Sequence, residues 1–215
     1  MSILTPAQVD EAGLHDWRML HHALQTRYAT GDFTTGLSLV NRIAALAEEM
    51  DHHPDLDLRF GHLNIRLFSH DSGGVTGRDV RLARRITDTA REAGVEAVPT
   101  KLSVIEIGLD TPDRAAIRPF WAAVLAMESP GSDDEVRDDD ADLPRVWFQE
   151  SGAEEPRQRF HLDVMVTPEE APHRIEAALA AGGRLVSESE APAFVVLEDA
   201  EGNKACICTM QGRHG

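Results

Sequence analysis

The chain has 215 residues, 42% hydrophobic and 27% charged, with a formal net charge of −16. That length supports one large or two small domains with real cores, and so negative a field excludes a phosphate-backbone partner, so no nucleic acid is expected. The two cysteines, Cys206 and Cys208, exclude a disulfide framework, and no window approaches the ~20 apolar residues of a membrane span, so no membrane partner is expected and the chain reads as cytoplasmic.

In chain order, Thr5-Pro6 opens a short capped helix with proline at its first position. Residues 17–20 and 23–30 read as two strands, closed by a turn at Gly31-Asp32. Residues 34–51 form an amphipathic helix that places Leu37, Val40, Ile43, Ala44 and Ala47 on one face. Residues 57–69 alternate as a strand, with Leu58, Phe60, His62, Asn64 and Arg66 on one side and Leu63, Ile65 and Leu67 on the other. Thr76 caps a second long helix, stopped near Gly94, with Val80, Ala83, Ile86, Thr87 and Ala90 inward. Ala97-Val98-Pro99-Thr100 reads as a linker, giving domains at 1–96 and 101–215.

Beyond the linker, a strand over 102–110 leads into a helix over 113–126 and then a strand over 145–150. A second strand, 159–166, leads into a helix over 169–181 and three short strands near 184–188, 194–198 and 204–209. Thr111-Pro112-Asp113-Arg114-Ala115 is echoed by Thr167-Pro168-Glu169-Glu170-Ala171, each following a strand and opening a helix, which argues for duplicated β-α-β-β-β units. Between them, Asp133, Asp134, Glu135, Asp138, Asp139, Asp140 and Asp142 read as a solvated loop, because their spacing fits no calcium loop. Cys206 and Cys208 are read as pointing to opposite faces of the last strand.

The chemistry concentrates between Glu48 and Asp79. His52 and His53 follow the end of the long helix, His70 the end of the following strand, and Asp79 lies at the start of the next helix; the ends of three elements can meet at one rim. Imidazole exchanges protons near neutrality, and a carboxylate beside it fixes its tautomer. Such a set suits elimination of water, which needs one proton delivered to a leaving hydroxyl and another removed. Two other readings stay open: a His-His-Pro that only ends a helix at the negative end of its dipole, and a zinc site, although adjacent histidines lack the usual one-face helical spacing.

Glu48, His52-His53-Pro54, Phe60, His70 and Asp79 at these spacings, with Gly73-Gly74-Val75-Thr76, Leu82-Ala83 and Asp32-Phe33, resemble the pterin-4a-carbinolamine dehydratase family over residues 1–95. The resemblance implies an α+β fold of α-β-β-α-β-β-α order and a hydro-lyase that converts a 4a-hydroxytetrahydropterin to the quinonoid dihydropterin without a cofactor. His52 and His70 would be its acid/base pair, His53 would orient the pterin and Asp79 would support it; Glu48, Pro54 and Phe60 would bind substrate. A homo-oligomer, dimer or tetramer, is also implied. Phe60 departs from a common Tyr, and Ser69 from a frequent Thr.

Residues 101–210 are similar to glyoxalase-like domains of the vicinal-oxygen-chelate superfamily, on Asp113 with Phe120-Trp121, Trp147-Phe148-Gln149, Arg159-Phe160-His161-Leu162-Asp163-Val164 and Leu197 through Asn203. This implies paired β-α-β-β-β units and, in many members, a divalent metal held from four strands. Carried over, the candidate ligands are Glu106, Gln149, His161 and Cys206. The cysteine stands where a carboxylate is usual, and matching the Thr-Pro repeats puts Ile105 rather than Glu106 opposite His161, so no bound metal is expected. Trp121, Trp147, Phe148 and Phe160 would be core or line a small-molecule cleft. The alternatives to a dehydratase are a non-catalytic binding or dimerisation protein and a metal-dependent enzyme acting through the C-terminal domain.

Overall fold

The computed structural model describes residues 2–125, 127, 134–138, 143–151, 160–198, 202 and 204–213. Among the sequence motifs, Asp133, Asp139, Asp140, Asp142, Arg159, Asp199, Ala200, Glu201, Asn203 and the side chain of Phe120 lie outside the described residues. Two compact units emerge: one runs to Leu102 and takes in Thr167–Glu169 and the residues from Met210, and the other comprises Ser103–Val166 and Glu170–Thr209. Among the described residues, no helix is long and apolar enough to cross a membrane.

The first unit follows the order α1 (Pro6–Glu11), β1 (Arg18–Leu20), β2 (Ala23–Ala29), α2 (Phe33–Met50), β3 (Asp55–Arg59), β4 (His62–Leu67), α3 (Gly77–Glu92) and β5 (Glu96–Ala97), then a 3-10 turn at Pro99–Lys101. Thr5 caps α1 in a capping box with Gln8, and Asp32 caps α2 through the Thr35 N–H at 2.8 Å. Its strands form an antiparallel sheet ordered β1-β2-β4-β3, with β5 added against β2 at Tyr28 and Ala29. The expected linker is therefore partly strand and partly 3-10 turn.

Two expectations need correction here. Residues 57–69 are a hairpin, not one strand: Phe60-Gly61 form the turn, and Leu58 pairs with Leu63 and Leu56 with Ile65. A two-residue turn reverses the chain, so Leu58 joins the buried side with Leu63, Ile65 and Leu67 and does not share a side with His62. On α2 the buried stripe is Gly36, Leu39, Ile43 and Ala47, while Leu37 and Ala44 are exposed. The spacing 39–43–47 keeps one i, i+4 row against the sheet, which leaves residue 37 on the far side. Gly36 belongs to that row because a Cβ there would meet Leu58 Cδ1 at 2.5 Å. Both helices pack on a core of Trp17, Leu24, Tyr28, Leu39, Ile43, Leu63, Ile65, Leu67, Leu82 and Ile86.

The second unit contains β6 (Ser103–Thr111), α4 (Arg114–Leu125), β7 (Glu135–Val136), β8 (Val146–Glu150), β9 (Phe160–Val166), α5 (Ala171–Ala180), β10 (Arg184–Ser187), β11 (Phe194–Glu198) and β12 (Lys204–Cys208). One seven-stranded sheet is ordered β10-β11-β12-β9-β6-β8-β7. The internal repeat shows in the pairing: β6 takes β8 in parallel as β9 takes β12, and β7 and β11 flank them antiparallel. Part of the acidic stretch is thus strand, not loop: Glu135 pairs with Trp147 and Val136 with Val146. One face of β6 and β8 (Leu109, Val146, Phe148) packs with Ile117 and Trp121 of α4. Cys206 and Cys208 both emerge on a single face of β12, because side chains two apart share a face; the expectation of opposite faces is reversed. Neither is in a disulfide.

Candidate active site

α2 ends in a left-handed turn. Asp51 takes φ 47°, and the His52 N–H bonds back to the Ala47 carbonyl at 3.1 Å, closing the helix in a Schellman-type end. That turn sends His52 inward and leaves His53 at the surface. His52 is buried, and its Nε2 lies 2.7 Å from Asp79 Oδ1. Asp79 is the third residue of α3, so the capping box that starts this helix also supplies the carboxylate facing His52.

Asp79 is wholly buried and fully engaged. Its Oδ2 accepts from the Thr76 N–H at 2.6 Å, from Ser69 Oγ at 2.7 Å and from Thr76 Oγ1 at 3.1 Å. As a carboxylate it can only accept, so His52 donates from Nε2 and its lone pair is on Nδ1. Ser69 is the base of the turn that carries His70: it bridges Gly74, and its carbonyl accepts from the Ser72 and Gly73 N–H groups at 3.0 and 2.9 Å. One carboxylate therefore fixes His52 through one oxygen and the root of the His70 turn through the other.

His70 is exposed, with its ring edge-on to Phe68 at 5.1 Å. Next to it, Asp71 is paired with Arg78, and that guanidinium hydrogen bond holds the Asp71 carboxyl below the usual range. His53 Nε2 lies 3.0 Å from Glu48 Oε1, and both side chains are exposed. Pro54 is half-buried beside them. Phe60 stands apart: it is 76% exposed in the β3–β4 turn, and with β3 extended at about 3.3 Å per residue it sits roughly 20 Å along the chain from Pro54. The structure does not bring it to the histidines of its own chain. Sequence reasoning misses Ser69 and Thr76 as the residues that hold Asp79; the signal is present in Thr76-x-x-Asp79, a capping pattern whose acid also faces His52.

In the second unit, the register places Glu106 beside Asp163 and Gly108 beside His161, with Ile105 beside Val164. Across the β6–β9 pairing His161 therefore faces Gly108. The four metal candidates do not converge as a set. Arg145 Nε lies 3.0 Å from Glu106 Oε1, and Arg145 also reaches Glu135 at 2.7 Å; Gln149 is exposed. The donor atoms of His161, Asp163 and Cys206 do come together, all within 4.8 Å of one another. The residues present do not fit the ligand set carried over from the resemblance.

The dehydratase family profile, described as pterin 4 alpha carbinolamine dehydratase, matches residues 2–89. A protein of Mycolicibacterium vanbaalenii that bears the provisional name pterin-4-alpha-carbinolamine dehydratase is 40% identical over 88 residues, which are 40% of this chain and 95% of that protein. The chain belongs to the pterin-4-alpha-carbinolamine dehydratase family. A provisionally named dehydratase of Koribacter versatilis is 39% identical over 75 residues, 35% of this chain and 80% of its own length. The profile described as glyoxalase-like domain matches residues 106–208, so the dehydratase-family part is joined to a glyoxalase-like part. A crystal structure titled transcriptional coactivator/pterin dehydratase from Brucella melitensis aligns with 28% identity and a TM-score of 0.40, covering 41% of this chain and 99% of that one. A glyoxalase/bleomycin resistance protein/dioxygenase superfamily member from Vibrio splendidus aligns with 15% identity and a TM-score of 0.34, covering 50% and 99%.

Proposed function

We infer that the N-terminal domain dehydrates a 4a-hydroxytetrahydropterin, with His52 and His70 as its acid/base pair. The observation that carries this reading is the buried His52–Asp79 contact at 2.7 Å, in a chain of the dehydratase family. Asp79 holds the Nε2 proton of His52, which leaves Nδ1 as the atom that exchanges a proton with substrate. The C4a–O bond breaks as one imidazolium protonates the departing hydroxyl. The neutral partner takes the N5 proton, the C4a=N5 bond forms, and water leaves. Each such transfer contributes roughly 10²–10⁴ in rate. The exposed His53–Glu48 pair suits a role at the pterin ring rather than in proton transfer. These steps run on side-chain protons alone. A homo-oligomer accompanies this reading, and the open edge of β3 in the sheet supports it.

The test is the rate at which quinonoid dihydropterin appears from freshly generated 4a-hydroxytetrahydropterin. The intact chain should accelerate it, and His70→Ala, a change on an exposed turn, should remove most of the acceleration while thermal unfolding stays unchanged. An intact chain that only matches the uncatalysed rate would make this domain a binding or assembly module.

A further inference from the structure

His70 lacks the anchor that His52 has. His52 is buried against Asp79 at 2.7 Å. His70 is exposed on its turn and, among the described residues, has no hydrogen-bond or ion-pair partner. A free imidazole of that kind samples several rotamers, whereas acid/base catalysis needs the one that puts it within hydrogen-bond reach of the proton it moves.

The alternation of β4 continues past its last residue. Ile65, Leu67 and Ser69 are buried, while Asn64, Arg66 and Phe68 are half-buried on the other face. Ser69 turns inward onto Asp79 at 2.7 Å, so Phe68 and His70 on either side of it face outward together. Their ring centroids are 5.1 Å apart with 81° between the planes, the T-shaped arrangement that aromatic pairs favour. Phe68 is itself braced. Arg66 Cζ lies 4.9 Å from its ring centroid, close enough for cation–π attraction. Arg66 Nη1 in turn donates to Asp55 Oδ2 at 2.6 Å, and Asp55 is its directly opposite neighbour on β3. Asp55 follows His53-Pro54, so the row Asp55–Arg66–Phe68–His70 crosses the hairpin from one histidine segment to the other.

We propose that Phe68 is a positioning residue for His70, and that Arg66 and Asp55 hold Phe68 in place. The inference rests on the dehydratase reading, in which His70 moves a proton. An aromatic brace does what a hydrogen bond could not: it limits the rotation of the ring without occupying a ring nitrogen. His52 has Nε2 engaged by Asp79 and keeps Nδ1 for substrate. His70 keeps both nitrogens, so it can take or give a proton while its ring stays oriented. Phe68 carries no proton itself and acts through His70 alone.

The experiment measures dehydration of freshly generated 4a-hydroxytetrahydropterin by the full-length chain, Phe68→Leu, Phe68→Tyr, Arg66→Ala and the Phe68→Leu/Arg66→Ala pair. The His70 imidazole proton resonances, assigned by their loss in His70→Ala, are recorded on the same samples. In the intact chain the Phe68 ring current should displace them. Phe68→Leu, apolar and of similar size, should remove that displacement and lower kcat by roughly tenfold or more, with KM and Tm near the intact values. Phe68→Tyr keeps the ring and should retain the displacement and most of kcat. Arg66→Ala should lower kcat less than Phe68→Leu does, and the pair should be no slower than Phe68→Leu alone, because Arg66 acts through Phe68. Three results from an active intact chain would overturn the inference and leave the dehydratase reading standing: full kcat in Phe68→Leu, a loss of kcat with the His70 resonances unmoved, or a Phe68→Tyr variant as slow as Phe68→Leu. An inactive intact chain would instead overturn the dehydratase reading, and the positioning role with it.

Discussion

Replacing Asp79 by Asn keeps the shape of the side chain and removes its charge, and the structure says which atom must lose. Asp79 Oδ2 accepts from Thr76 N, Ser69 Oγ and Thr76 Oγ1, and Oδ1 faces His52 Nε2. An amide has one acceptor oxygen, and three donors draw it to the Thr76–Ser69 side. Its NH₂ then points at His52 and forces the proton from Nε2 to Nδ1. The ring keeps its position and presents the wrong tautomer to substrate. The loss of a correctly protonated acid/base group predicts a fall of roughly 10²–10⁴ in dehydration rate. Each of the two short bonds to Oδ2 weakens by about 1 kcal/mol when its acceptor becomes neutral, so stability should fall by about 2 kcal/mol. For a domain of this size that is on the order of 10 °C in Tm. Stopped-flow dehydration and thermal unfolding on the same sample measure both. A variant that loses stability and keeps the intact rate would refute the tautomer argument and reduce Asp79 to a helix cap.

The geometry sets three further outcomes. His53→Ala should leave Tm unchanged, since exposed ion pairs contribute about 0–1 kcal/mol, and should raise KM for the pterin with kcat near the intact value; equal KM values would remove His53 from substrate binding. Burial pushes the Tyr28 phenol well above its usual value, more than its contact with Thr87 lowers it. Because the folded value is the raised one, Tyr28 supports the fold fully below pH ~10 and progressively loses that contribution as pH rises past it, so Tyr28→Phe should flatten the alkaline fall of Tm. Gly108→Ala drives a methyl into the His161 ring and should destabilise the second unit by roughly 1–3 kcal/mol, read by denaturant unfolding; an unchanged midpoint would contradict the packing described.

Local signals are legible where one short motif decides one element. Thr5-Pro6 and Thr76 mark helix starts, and the residues proposed for proton transfer cluster around the second of them. What depends on pairing is not legible. The β3–β4 turn is Phe60-Gly61, which lacks the Asn-Gly or Asp-Gly signature of tight hairpins, so the hairpin reads as one strand and Leu58 falls on the wrong side. β5 and β7 are two residues each and exist only through their partners, Tyr28 and Ala29 for one and Trp147 and Val146 for the other. The placing of Cys206 beside Asp163 is of the same kind, because it exists only through the register of β12 with β9. In the sequence Ser69 stands out only as a departure from a family pattern; its role emerges once the turn places its hydroxyl on Asp79.

The central claim is that His52 and His70 work as one proton-transfer unit on a 4a-hydroxytetrahydropterin. The most direct measurement is the dehydration rate of freshly generated substrate by the intact chain, His52→Ala, His70→Ala and the double variant. Residues that act as a unit are non-additive, so the double variant should be little slower than either single one, and all three should be far slower than the intact chain. Single changes that each leave the rate intact, or that multiply in the double variant, would contradict the account.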